Sequence, residues 1–157
     1  MLAIGLASIC LAGCNTPNPP AVSAAAADST SQKPVLESRV AIFEIPATDL
    51  HRAVTFYEAI LGVAIEKMEW PEMQMGIFPY ENQMVTGVIV KSANHQPSSG
   101  GVTIYLNAGD DLQTILDKVE PHGGKVLTPK TMHADGSGFF ALFQDTEGNR
   151  LGLHALK

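Results

Sequence analysis

The chain has 157 residues, 45% of them apolar, a formal net charge of −6 and only ten Lys plus Arg. That length fits one compact domain once a low-complexity start is set aside. An acidic balance without a basic cluster excludes a nucleic-acid partner, because phosphate binding needs clustered positive charge.

Leu2–Gly13 is an uncharged, mostly apolar run, too short to cross a bilayer as a helix. It ends in Leu11-Ala12-Gly13-Cys14, which resembles the bacterial lipobox, where a peptidase cuts before a Cys whose thiol carries diacylglycerol. Residues 1–13 are therefore expected to be a lipoprotein-type signal peptide, with Cys14 lipidated and the protein held to a membrane by that anchor. A buried acyl chain contributes about 0.8 kcal/mol per CH₂, so stable anchoring needs more than one chain, as a lipoprotein Cys supplies. Asn15 rather than Asp after the Cys favours the outer membrane by the lipoprotein rule, which places the domain on its periplasmic face. Met1 is followed directly by apolar residues instead of a basic n-region, which points to a translation start further upstream. Residues 14–37 are rich in Pro, Ala, Ser and Thr and read as a flexible tether. Both cysteines, Cys10 and Cys14, precede the folded part, so no disulfide can staple it.

The folded domain is expected over 38–157. Val40–Ile45 reads as a strand ended by Pro46. Thr48-Asp49 offers an N-cap, and Leu50, Ala53, Val54, Tyr57, Ile60 and Leu61 recur at helical spacing up to Gly62. Val63–Trp70, Met75–Tyr80 and Met84–Lys91 read as three strands. After the loop Ser92–Gly100 the series repeats: a strand Val102–Asn107, a helix capped by Asp110/Asp111 with Leu112, Ile115, Leu116 and Val119 inward, and a stop at Gly123-Gly124. Strands at Lys125–Thr131, Phe139–Gln144 and Arg150–Leu156 follow, the last two joined through Asp145-Thr146-Glu147-Gly148-Asn149.

The two helices match at one constant offset: Asp49, Leu50, Ala53, Val54, Tyr57 and Gly62 against Asp111, Leu112, Ile115, Leu116, Val119 and Gly124. Internal duplication follows. The fold class is α+β, two βαβββ modules over about 39–93 and 101–157, each with one helix-covered and one concave sheet face. Side by side they would enclose a cavity.

The segments Asp49–Tyr57, Leu61-Gly62, Gly123–Val126 and Phe143–Leu153 (FQDTEGNRLGL) together make the chain resemble the vicinal oxygen chelate superfamily, the glyoxalase, bleomycin-resistance and extradiol dioxygenase group. The resemblance implies a sheet half-barrel with helices outside. It also implies a divalent metal (Zn, Ni, Mn or Fe) held by His, Glu or Gln and chelated by vicinal oxygens of the substrate. The implied metal positions fall on Ile42, near Gly87, on Gly101 or Thr103, and on Gly152. None is a metal ligand, so the expectation is a domain without the family's metal and without a cofactor.

The polar residues left for a ligand pocket are few. Glu44 shares strand parity with Ile42 and should face the cavity, either as a polar contact or base, or paired with Arg150 or another cation. Thr103, Tyr105 and Asn107 form the matching set in the second module. His133, in a loop at the cavity mouth, and His154, on the Gly152 face, are candidate contacts. Trp70, Met73, Met75 and Phe140 would supply apolar walls or ordinary core. His51, His95 and His122 are expected in solvent.

The expected function is binding of a small, partly apolar molecule by a membrane-tethered domain that pairs as a homodimer. One alternative is a metal-dependent lyase or dioxygenase of glyoxalase type with a site relocated to His154, Glu44 and His133. Another is a structural protein with a vestigial cavity.

Overall fold

The computed structural model describes residues 40–81 and 85–157; the lipobox, the tether and Met84 lie outside the described residues. The element order is β1 (Ile42–Pro46), α1 (Leu50–Leu61), β2 (Glu66–Trp70), β3 (Met73–Ile77), β4 (Thr86–Ser92), β5 (Tyr105–Asn107), α2 (Gln113–Val119), β6 (Lys125–Met132), β7 (Phe139–Gln144) and β8 (Arg150–Ala155). A short 3₁₀ turn, Glu120–His122, follows α2. The strands form two four-stranded sheets in equivalent orders, β1-β4-β3-β2 and β5-β8-β7-β6. In each, the first strand pairs in parallel with the last and the rest are antiparallel. The α+β fold of two βαβββ modules is as the internal repeat led us to expect.

Helix α1 starts as its sequence dictates. Asp49 is extended (φ −130°) and its carboxylate accepts the Arg52 N–H at 3.1 Å, while Gly62 ends the helix in the left-handed region at φ 69°. The equivalent stop in the second module falls one residue off the repeat. Gly123 takes the positive φ (91°), whereas Gly124, the true counterpart of Gly62 by offset, is needed for close approach. A Cβ on Gly124 would lie 2.8 Å from the Gln144 carbonyl oxygen and 2.9 Å from the Phe56 ring.

Several strand ends differ from expectation. Pro46 belongs to β1, opposite Val90, which an edge strand tolerates because the missing N–H can face away from the ladder. The strand expected at 102–107 is ordered as strand only over Tyr105–Asn107. Gly101 has φ 97° and Val102 is 88% exposed, so the chain there bends away before it enters the sheet.

Strand parity sorts the side chains. Ile45 and Ile89 of the first sheet and Leu106, Ala141, Phe143, Leu151 and Leu153 of the second turn toward the helices. With Ala53, Val54, Phe56, Tyr57, Ile60, Leu112, Leu116 and Val119 they form one continuous core. Each fully buried Leu, Ile or Phe contributes roughly 1.5–3 kcal/mol. Helix α1 serves both modules: Tyr57 meets Phe78 edge-on at 5.6 Å, and Phe56 lies 6.2 Å from Phe143. Each sheet has a second face turned away from the helices, on which Val88 and Val90 of the first sheet are nonetheless buried. Residues on those faces include Glu44, Val88, Val90, Met75 and Met68 in the first, and Tyr105, Asn107, Leu142, Phe140, Gly152 and His154 in the second.

Candidate functional site

The hairpin turn Asp145–Asn149 is a structural hub. Asp145 is 4% exposed. Its Oδ1 accepts the N–H groups of Glu147 (2.9 Å) and Asn149 (2.8 Å), and its Oδ2 accepts the Tyr57 hydroxyl (2.7 Å) and Asn149 Nδ2 (2.9 Å). Asn149 Nδ2 also donates to the Pro46 carbonyl at 2.7 Å, and its Oδ1 accepts the Ser98 N–H at 3.0 Å. Gly148 supplies the positive φ, 97°. Burial, then the Asp145 carboxylate, pushes the Tyr57 phenol well above its usual range, so it stays a neutral donor.

Glu147 ties this turn to the start of α1. Its carboxylate accepts the N–H groups of Thr48 (2.8 Å) and Asp49 (3.0 Å), the Thr48 hydroxyl (2.7 Å) and the Arg52 guanidinium (2.7 and 3.0 Å). Burial alone would raise this carboxyl. The Arg52 bond, then those of Thr48 and Asp49, outweigh it and hold the pKa at about 2. The family-like turn thus owes its residue types to anchorage rather than chemistry.

The sheet faces carry the candidate chemistry. On the second module, Tyr105 is the register partner of Gly152, and an added Cβ at residue 152 would collide with the Tyr105 ring, 2.8 Å from its Cγ and closer to Cδ1 and Cε1. The space where the resemblance puts a metal-binding carboxylate is filled by a phenol ring. Ile42 is 64% exposed and offers only hydrocarbon. Gly87 has the wrong parity as well as no side chain: a Cβ there would meet Phe43 and Phe78 on the helix-covered face. Thr103 accepts a hydrogen bond from Arg150 Nη2 at 2.8 Å, and Gly101 sits in a bend. These residues do not fit a divalent cation. Among the described residues no three His, Cys, Asp or Glu side chains converge on a point that could hold one.

The six pocket candidates are not gathered in one place. His133, Phe140 and His154 come together. The ring centroid of His133 is 4.9 Å from that of Phe140 and 5.3 Å from that of His154, and His133 Nε2 is buried with no hydrogen-bond partner among the described residues. The loop that brings His133 in is closed by its N–H donating to the Gly138 carbonyl at 2.9 Å. His154 and Phe140 are register partners, flanked on β5 by Asn107 and one row from Tyr105. Thr103 and Tyr105 also border a larger cleft of about 1040 Å³, walled by Phe43, Ile60, Leu61 and Ile115. Asn107 Oδ1 is turned to the Gly109 N–H at 2.9 Å, a turn contact.

Glu44 lies on the open face of the other sheet, as strand parity requires, but its partner is His95 at 3.0 Å rather than Arg150. His95, expected in solvent, is folded back against the sheet, with Nδ1 2.7 Å from Ser92 Oγ. No periodicity marks a loop residue for this position. The only sequence signal was the Ser-x-x-His spacing, which allows a tight turn to return the ring to the serine. His51 and His122 are exposed as expected.

Comparison with known proteins fits this architecture. A protein from Didymella fabae described as glyoxylase-like domain-containing is 32% identical over 125 residues, 73% of this chain and 91% of that one. Among solved structures, a glyoxalase/bleomycin resistance protein from Albidiferax ferrireducens superimposes with a TM-score of 0.61 at 18% identity, covering 75% of this chain and 98% of that one. TnmS3, an antibiotic binding protein from Streptomyces, gives 0.59 at 22% identity over 76% and 97%. A variant of glyoxalase I from Zea mays gives 0.60 at 21% identity; the match covers 73% of this chain but only 44% of the maize enzyme. A family model matches residues 39–153, so this chain belongs to the Glyoxalase/Bleomycin resistance protein/Dioxygenase superfamily.

Proposed function

We propose that the domain binds a small, partly apolar molecule on the open face of its second sheet, without a metal. The observation that carries this reading is the buried Nε2 of His133, without a partner among the described residues, in a ring tilted against Phe140 and His154. An unsatisfied buried polar atom costs about 1–3 kcal/mol, which a ligand able to hydrogen-bond there would recover. Phe140, Leu142 and the half-exposed Tyr105 add apolar surface around it. TnmS3, an antibiotic binding protein, shares the fold at 22% identity, and the ligand class is proposed here by that analogy.

In this reading Cys14 holds the domain to the periplasmic face of the outer membrane, and two copies pair through apolar groups left on the faces turned away from the helices, such as Ile42 and Met68 (64% and 38% exposed). The test is a thermal-shift screen of small aromatic and amphiphilic compounds on chelator-treated protein, repeated with His133→Ala and Phe140→Ala. Hits that stabilise the wild type and lose their effect in both variants support the site. No stabilisation across a broad library, or stabilisation that appears only with added zinc or nickel, would defeat it.

A further inference from the structure

A second constellation lies on the first sheet, away from the His133 cluster. Ser92 closes β4, with its side chain on the same face, turned away from the helices, as Val88 and Val90; Glu44 stands on that face of β1. The turn after β4 is closed by the His95 N–H donating to the Ser92 carbonyl at 3.2 Å, which carries the imidazole back over the sheet. There Nδ1 lies 2.7 Å from Ser92 Oγ and Nε2 3.0 Å from Glu44 Oε2.

The three groups admit one arrangement of protons when His95 is neutral. An ionised carboxylate only accepts, so Nε2 carries the hydrogen and donates it to Glu44. Nδ1 is then a lone pair, and the Ser92 hydroxyl donates into it. Ser92 Oγ accepts the Asn94 N–H at 3.3 Å and keeps a second lone pair free. The result is a hydroxyl, a base and a carboxylate that fixes the tautomer of the base, the relation that activates a serine nucleophile. The chain is accessible: the His95 side chain is 27% exposed, and with Ser92 it borders a cleft of about 440 Å³. Trp70 and Met73 give that cleft an apolar wall.

We propose that Ser92 is an acyl-accepting nucleophile, with His95 as its base and Glu44 as the residue that positions His95, acting on short-chain carboxylic esters. Ser92 Oγ bonds to the ester carbonyl carbon as its proton passes to His95 Nδ1 and the carbonyl pair moves onto oxygen. The tetrahedral adduct re-forms the carbonyl and breaks the bond to the alkoxide, which takes the proton from Nδ1 and leaves as the alcohol. Water then attacks the acyl-serine, gives a proton to Nδ1, and the adduct releases the carboxylic acid as Ser92 recovers its proton. The sum is ester plus water to acid plus alcohol. This site is independent of the small-molecule reading above and stands or falls without it.

The experiment is covalent labelling of the full chain with an alkyl fluorophosphonate, in which the Oγ–P bond forms, P–F breaks and the serine proton leaves with fluoride. One adduct is expected, mapped to Ser92 by peptide mass spectrometry, absent in Ser92→Ala and formed at least about ten-fold more slowly in His95→Gln. No adduct, an adduct elsewhere, or wild-type labelling in His95→Gln would overturn the proposal and leave a loop clasp. Mapping on the wild type decides even if a variant fails to fold. Glu44 is read from the split of kcat against KM in p-nitrophenyl acetate hydrolysis: Glu44→Gln should lower kcat about ten-fold at unchanged KM, because the imidazole loses the acceptor that fixes its tautomer and orientation. An unchanged kcat would remove Glu44 from the site.

Discussion

The ring of Tyr105 occupies the space that a side chain on Gly152 would need, across a parallel strand pair. The two residues are complementary in volume: one large and half-exposed, the other without a Cβ. The face of this module is therefore built around an aromatic group at the position where its superfamily resemblance puts a carboxylate.

This complementarity is testable by substitution. Gly152→Ala forces the Tyr105 ring out and is expected to cost about 1–3 kcal/mol, the usual range for overpacking. Adding Tyr105→Ala should recover much of that loss, giving a coupling of about 1 kcal/mol or more in a double-mutant cycle by urea denaturation. Additive effects would mean that the ring swings aside without cost.

Tyr57→Phe removes the phenol that donates to Asp145 at 2.7 Å in the core. Among the described residues, Asp145 Oδ2 would keep only the Asn149 amide. A loss of about 1–3 kcal/mol is expected, the cost of an under-satisfied buried acceptor. A midpoint within experimental error of wild type in chemical denaturation would show that water replaces the phenol.

Glu147 makes stability depend on acid. Its folded pKa of about 2 lies below the unfolded value near 4.5, so the unfolded chain takes up the proton first as pH falls. The contribution, about 3 kcal/mol at most, is fully present above pH 4.5 and is lost between there and pH 2. Glu147→Gln should lower stability at pH 7 and flatten that acid limb in denaturation curves taken from pH 2 to 7. An unchanged limb would place the acid sensitivity in other carboxylates.

The proposed lipid anchor predicts that Cys14→Ser moves the protein from the membrane fraction to the soluble periplasmic fraction on cell fractionation. A serine variant still recovered with the outer membrane would contradict lipid attachment at this residue.

Much of the architecture was legible because it rests on local chemistry. Asp49 at an N-cap, Gly62 past a helix end and Gly148 in a hairpin turn each have a short-range reason, and the structure places all three in those roles. The duplication made the second module readable from the first. Legibility failed where a residue's partner lies far away in the chain. Glu147 caps α1 from 98 and 99 residues downstream, and Gly124 is small because Phe56 and Gln144 crowd it. Glu44 was placed on the correct face by parity, but its partner His95 reaches it through a loop that carries no period.

By itself, then, the sequence determined two repeated βαβββ modules, the residues facing their helices, and the absence of donor atoms at Ile42 and Gly152. Periodicity and composition are properties of the chain alone. Only the tertiary structure decided that Tyr105 fills the Gly152 space, that His133 loses its solvent at Nε2, and that Ser92, His95 and Glu44 form one hydrogen-bonded chain. Each depends on distances between segments whose separation no local pattern encodes.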